Sequence, residues 1–215
     1  MLKINKNFFF LIFISISFLL NYFNYVIISK FTLPIEFSIF YASMIIASIL
    51  LTPTIIFNFY NIKKLRENFD NRDFYNKNLS EVFFTFVLFL IIYFLFLKIF
   101  YYFIKFFFSF NYKLYFVIIF SVIFQSIIEF LRTNLEVQNE IKKSAIYTLL
   151  FNFSKFFLCT FIVIFFSSKV WIIFLGIILS QIIICISIIL KTKFKINFFK
   201  YNFKKININI NYIIF

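Results

Sequence analysis

The sequence has no histidine, one glycine, two prolines, two cysteines and only eight acidic residues among its 215 positions. Without histidine there is no Ser-His-Asp or Cys-His dyad and no imidazole ligand for a metal. A single glycine rules out a glycine-rich phosphate cradle. These absences remove most enzyme classes, so the expectation is a protein that is not an enzyme and uses no cofactor or metal. Cys159 and Cys185 stand inside apolar runs without a C-x-x-C spacing. They read as small buried hydrophobes and leave the redox compartment open.

Apolar surface, by contrast, is in excess. Hydrophobic residues make up 63% of the chain and aromatic residues 26%, including 42 Phe, and the mean hydropathy is +0.98. Soluble domains are about 45–50% apolar, and a single core of this size cannot hide the surplus from water. The surplus faces a solvent that is itself apolar, a lipid bilayer. The richness in Phe, Ile, Asn, Lys and Tyr has the look of A+T-rich coding, so the Phe count itself carries no function.

Six runs are long enough to cross about 30 Å of hydrocarbon as helices. They are predicted at about 8–28, 37–60, 82–104, 114–131, 144–168 and 170–190, giving an all-α polytopic bundle over 1–190 and a basic tail over 191–215. The first run follows Lys3 and Lys6 as a signal peptide would, but it is too long and lacks an A-x-A site, so it is expected to be retained. Pro53 predicts a bend in helix 2, with Thr52 and Thr54 hydroxyls available to the freed backbone. Asn61 to Glu81 holds the densest charge and is predicted as the main polar loop. The very short first and fifth connections predict antiparallel hairpins for helices 1/2 and 5/6.

The net charge of +14 would suggest nucleic acid in a soluble protein. Here the basic residues collect between apolar runs, which marks cytoplasmic loops and makes membrane lipid, not nucleic acid, the expected partner. With the N-terminus inside, 16 Lys and Arg fall on the inner side and 5 on the outer. Both termini are therefore predicted to be cytoplasmic, in the cell inner membrane.

Polar residues inside the crossings form stripes. Ser144, Thr148, Asn152, Lys155 and Cys159 occupy an arc of roughly 80° on helix 5, and Ser121, Gln125, Glu129, Arg132 and Glu136 an arc of roughly 80° on helix 4. Helix 1 carries Ser17, Asn21 and Asn24; helix 2 carries Ser43, Ala47, Thr54 and Asn58; helix 3 has almost none and should face lipid more. Ser, Thr, Asn and Gln ordinarily hydrogen-bond between membrane helices, Ser43 and Ala47 form a small-xxx-small pair, and Glu129 is placed to pair with Arg132. Lys155 is the charge nearest the middle of a crossing, where an ionisable group faces protein or water. Folding helices 4 and 5 about Gln138 puts Glu129 and Lys155 some eight residues, or roughly 12 Å, out of level. Three roles stay open for Lys155: lining a hydrophilic cavity, snorkelling, or pairing with another neighbour.

The segment KFTLPIEFSIF from Lys30 to Phe40 resembles the first loop and second helix of the O-antigen and oligosaccharide flippases of the multidrug/oligosaccharidyl-lipid/polysaccharide exporter superfamily. Leu33, Pro34, Phe37 and Phe40 follow the family's L-G-P-x-x-Y/F-G-x-F/Y form, while the first Gly has no counterpart and Ser38 stands at the second. A second likeness lies in LRTNLEVQNEIKKSAIYTLLFN, with Leu131, Arg132, Gln138, a basic pair and Tyr147. Helix number, loop lengths and termini agree with that family's N-terminal six-helix lobe. The resemblance implies alternating access for a lipid diphosphate-linked oligosaccharide. Lys155 would attract the diphosphate, and Asn152, Thr148, Gln125, Glu129 and Asn21 would line the substrate cavity. Because family members have two such lobes, it further implies a truncated half, a homodimer or a second six-helix partner.

Two other classes stay open from the residues alone. One is a membrane-embedded sugar or lipid phosphotransferase using the D-x-x-D of Asp70 to Asp73 with Glu67 and Glu81, although interleaved basic residues favour a solvated loop. The other is a non-transporting scaffold subunit.

Overall fold

In the computed structural model, residues 6–66, 72–107, 112–138 and 140–191 are described; they form six helices and, among the described residues, no strand. The helices are α1 (Lys6–Phe31), α2 (Pro34–Arg66), α3 (Arg72–Phe107), α4 (Tyr112–Val137), α5 (Ile141–Phe165) and α6 (Val170–Lys191). Each carries a stretch long and apolar enough to cross a bilayer, so the chain is an all-α, six-helix polytopic membrane protein. The tail from residue 192 onward lies outside the described residues.

Several helix ends differ from the sequence expectation, each for a local reason. The predicted main polar loop is largely helix: α2 runs through to Arg66 and α3 starts at Arg72. No Gly or Pro stands between Asn61 and Glu81 to stop either helix, and Lys, Arg, Leu and Glu are good helix formers in water. Helix α4 continues past Leu131 to Val137 because Glu129, Arg132 and Glu136 meet at i,i+3 and i,i+4 spacing. Helix α5 stops at Phe165, short of the predicted Ser168, because the Phe166 and Ser167 N–H groups both turn back onto the Ile162 carbonyl and the Ser167 hydroxyl accepts the Lys169 N–H.

Neighbours in space are mostly not neighbours in sequence. The packing runs in the order α1, α5, α6, α4, α2, α3. Helices α4 and α6 are innermost, each 56% buried over its most apolar window, against 17% for α1 and α5 and 22% for α2 and α3. Helix α3 is thus no more lipid-facing than α1 or α5. The predicted α5/α6 hairpin packs along its length, whereas α1 and α2 share little contact beyond Tyr25 against Phe40 and Tyr41 near their turn. Instead α1 lies on α5 in parallel: Phe9 meets Lys142, and Asn21 meets Lys155 further along both helices.

Pro53 sits inside α2. The Thr52 and Thr54 hydroxyls donate to the Ser48 and Leu51 carbonyls, and the Tyr93 hydroxyl of α3 donates to the Leu50 carbonyl. A proline disturbs the helical hydrogen bonds just upstream of it, which leaves carbonyls there available to a partner. The Tyr115 hydroxyl of α4 likewise donates to the Leu97 carbonyl at 2.6 Å. These bonds and a row of stacked rings from Phe57 through Phe89, Tyr93 and Phe96 to Phe100 attach α3 to the bundle. Ser126 of α4 donates to Thr54 of α2 at 3.1 Å.

Gly176, the one glycine in the chain, lies on α6 against Ile162 and Cys159 of α5. A Cβ there would stand 2.8 Å from Ile162 Cδ1 and 3.5 Å from Cys159 Sγ. Alanine requires only that the Ile162 methyl shift, but a β-branched side chain also meets the α5 backbone. Gly176→Val is expected to destabilise the bundle by about 1–3 kcal/mol, read as a lower unfolding midpoint in detergent, with Gly176→Ala close to wild type.

Candidate functional site

The polar stripe of α4 turns toward α6. Gln181, midway along α6 and buried, donates through Nε2 to Ser121 Oγ and to Gln125 Oε1, both at 3.2 Å. Gln125 in turn donates to Glu129 Oε1 at 3.0 Å, and Arg132 pairs with Glu129 at 3.1 Å. Arg132 also lies 3.9 Å from Glu136, which accepts the Ser144 hydroxyl of α5 at 2.7 Å. A chain of hydrogen bonds and one longer ion pair, Arg132–Glu136, therefore joins the middle of α6 to the α4/α5 turn. The predicted Glu129–Arg132 pair is present. Gln181, where this chain begins, belongs to none of the polar stripes on helices 1, 2, 4 and 5; its partners lie on α4.

The stripe of α5 divides. Ser144 faces α4, but Thr148 and Asn152 donate to carbonyls of their own helix, those of Ser144 and Thr148, at 3.0 and 3.2 Å. Both are half-buried. Further along, Lys155 is 6% exposed and donates to Asn21 Oδ1 of α1 at 2.5 Å, with its Nζ 5.8 Å from the Phe151 ring centroid. One turn on, Cys159 meets the Asn24 amide of α1 and donates weakly to the Ile173 carbonyl of α6. The ammonium is thus enclosed between two parallel helices, an arrangement that corresponds to pairing with a neighbour among the three roles left open by the sequence. Its neighbour is a neutral amide.

The two stripes do not turn into the one cavity that the flippase resemblance implies. Gln125 and Glu129 belong to the α4/α6 contact, Lys155 and Asn21 to the α1/α5 contact, and the rows meet at Glu136 and Ser144. That meeting also corrects the register. With Ser144 opposite Glu136, Lys155 and Glu129 differ by about four residues in level, roughly 6 Å, rather than eight. They still do not pair, because Lys155 is directed at α1 and the Glu129 carboxylate is taken by Arg132 and Gln125. Among the described residues no carboxylate lies within ion-pair distance of Lys155.

Asn24 lies on the α1 stripe one turn beyond Asn21. It is 1% exposed, and its Oδ1 has no partner among the described residues. Asn58 of α2, also buried, has neither amide atom partnered among the described residues. Of the phosphotransferase candidates, Glu67 and Asp70 lie outside the described residues. No protein-family model, curated protein or solved structure matches this chain.

Proposed function

We propose that the chain is a transport subunit that carries a lipid diphosphate-linked oligosaccharide across the cytoplasmic membrane, with both termini inside. The observation that carries this reading is the Lys155 ammonium, enclosed near the middle of a crossing and met by a neutral amide in place of a carboxylate. A lone buried charge is costly, and an anionic headgroup that enters the α1/α5 seam would offset it. Opening the seam means parting α1 from α5, its principal packing partner, since α1 shares little with α2. When α1 swings away, Asn21 gives up the ammonium and the diphosphate takes its place, while Asn152 and Thr148, half-buried on the same face, meet sugar hydroxyls. The resemblance of the Lys30–Phe40 segment points the same way.

The test is a flipping assay in proteoliposomes with a fluorescent polyprenyl diphosphate oligosaccharide. Accelerated exchange between leaflets relative to protein-free vesicles is expected. Exchange at the protein-free rate, with the chain folded and inserted, would overturn the reading in favour of a non-transporting subunit. That second reading draws support from the α4/α6 polar chain, which is spent on helix-to-helix bonds.

A further inference from the structure

We propose that the square of side chains formed by Asn21 and Asn24 on α1 and Lys155 and Cys159 on α5 binds one small monovalent anion of halide size, independently of any transported lipid. Asn21 and Asn24 are one helical turn apart, as are Lys155 and Cys159. Lys155 meets Asn21 and Cys159 meets Asn24. On parallel helices the two contacts form rungs about 5 Å apart, a spacing that one ion can bridge.

The donors needed are present. An ammonium has three N–H groups; Lys155 directs one at Asn21 Oδ1 and lies over the Phe151 ring. The Asn21 amide nitrogen brings further N–H groups to the same rung. On the other rung Asn24 is 1% exposed with Oδ1 unpartnered. If the Cys159 S–H turns from the Ile173 carbonyl to Asn24 Oδ1 as that amide makes a half-turn, the unpartnered acceptor is satisfied and Nδ2 becomes a donor for the anion, so that both rungs present donors.

Charge selects the ligand. Lys155 is 6% exposed and has no carboxylate partner among the described residues. The charged groups on the packed elements are already committed: on α4, Glu129 and Glu136 engage Arg132, and on α1 the residues next to Asn21 and Asn24 are Tyr22, Phe23 and Tyr25. A water molecule would complete hydrogen bonds but leave the charge. A divalent oxyanion is larger and would require the α1/α5 seam to open. A halide neutralises one ammonium and accepts donors from any direction.

The experiment uses the purified full chain in detergent. Its unfolding midpoint is measured in sodium chloride, bromide and gluconate at equal ionic strength, and binding of radioactive chloride is counted. A higher midpoint in chloride and bromide than in gluconate is expected, with about one bromide-displaceable chloride per chain. Lys155→Met should abolish both effects. Asn24→Leu, which keeps the lysine, should weaken chloride binding about tenfold or more, so the result does not depend on whether the lysine variant folds. No bound chloride in the wild type, or equal binding in Asn24→Leu and wild type, would overturn the proposal. Flipping measured in gluconate separates the two ideas, because transport without halide would leave the proposed function standing while the anion site failed.

Discussion

Lys155→Leu is expected to lower lipid-linked oligosaccharide flipping by at least about tenfold, a loss of about 1.4 kcal/mol or more of substrate interaction, while insertion and abundance stay near wild type. The two effects separate for a physical reason. A leucine of similar volume removes the cost of an enclosed charge, and exchanging buried polar pairs for apolar packing is often neutral or stabilising. The structural cost is the Asn21 amide left without its donor, about 1–2 kcal/mol, and Asn21→Leu in the same chain should recover it. If Lys155 were a structural tie between α1 and α5, the double variant would restore whatever Lys155→Leu lost, transport included. If it anchors an anion, stability returns and transport does not. Lys155→Arg should keep part of the activity, since the charge remains but the wider guanidinium fits the seam less well.

Arg132→Leu is expected to cost about 2–3 kcal/mol of stability, below the figure for a fully buried pair because Arg132 and Glu129 keep some exposure. Arg132 stands between Glu129 and Glu136, at 3.1 and 3.9 Å. Its removal leaves two carboxylates close together near the membrane edge. Glu129 is also joined through Gln125 to Gln181 of α6, so the damage should reach the α4/α6 contact. Adding Glu129→Gln removes one of the repelling charges and should return roughly half of the loss, measured as the unfolding midpoint in detergent. An Arg132→Leu variant as stable as wild type would mean that the cluster is solvated and contributes nothing.

The crossings were legible in the sequence because bilayer spans are long, uncharged and carried by composition. The stripes on α4 and α5 were legible too, because a period of 3.6 residues can be read along one helix. Which helix each stripe meets could not be read. Helix α1 packs on α5, not on the α2 that follows it, and nothing in the order of the chain encodes that choice. Hence Lys155 could be singled out as an intramembrane charge, yet its partner Asn21 was assigned to a shared cavity with Gln125 and Glu129, which lie in a different contact. Gln181 forms no stripe on apolar α6, and Asn24 belongs to the α1 stripe with nothing along that helix to set it apart; the significance of each comes from the neighbouring helix. The helix ends differ from the sequence expectation where a charged segment follows a crossing, because charge by itself does not stop a helix. Without Gly or Pro a charged segment continues as helix in water, as α2 and α3 do beyond the bilayer.

The most direct measurement is lipid-phase photolabelling of the unmodified chain in bilayers, with a diazirine carried on the acyl chain and the adducts mapped residue by residue along α5. Phe153 and Phe157 are 49% and 54% exposed, while Lys155 between them is 6% exposed. Adducts are therefore expected at Phe153 and Phe157, with Lys155 protected. Labelling of Lys155 at the level of its two neighbours would place the ammonium among acyl chains and contradict the enclosed α1/α5 seam on which the functional account rests.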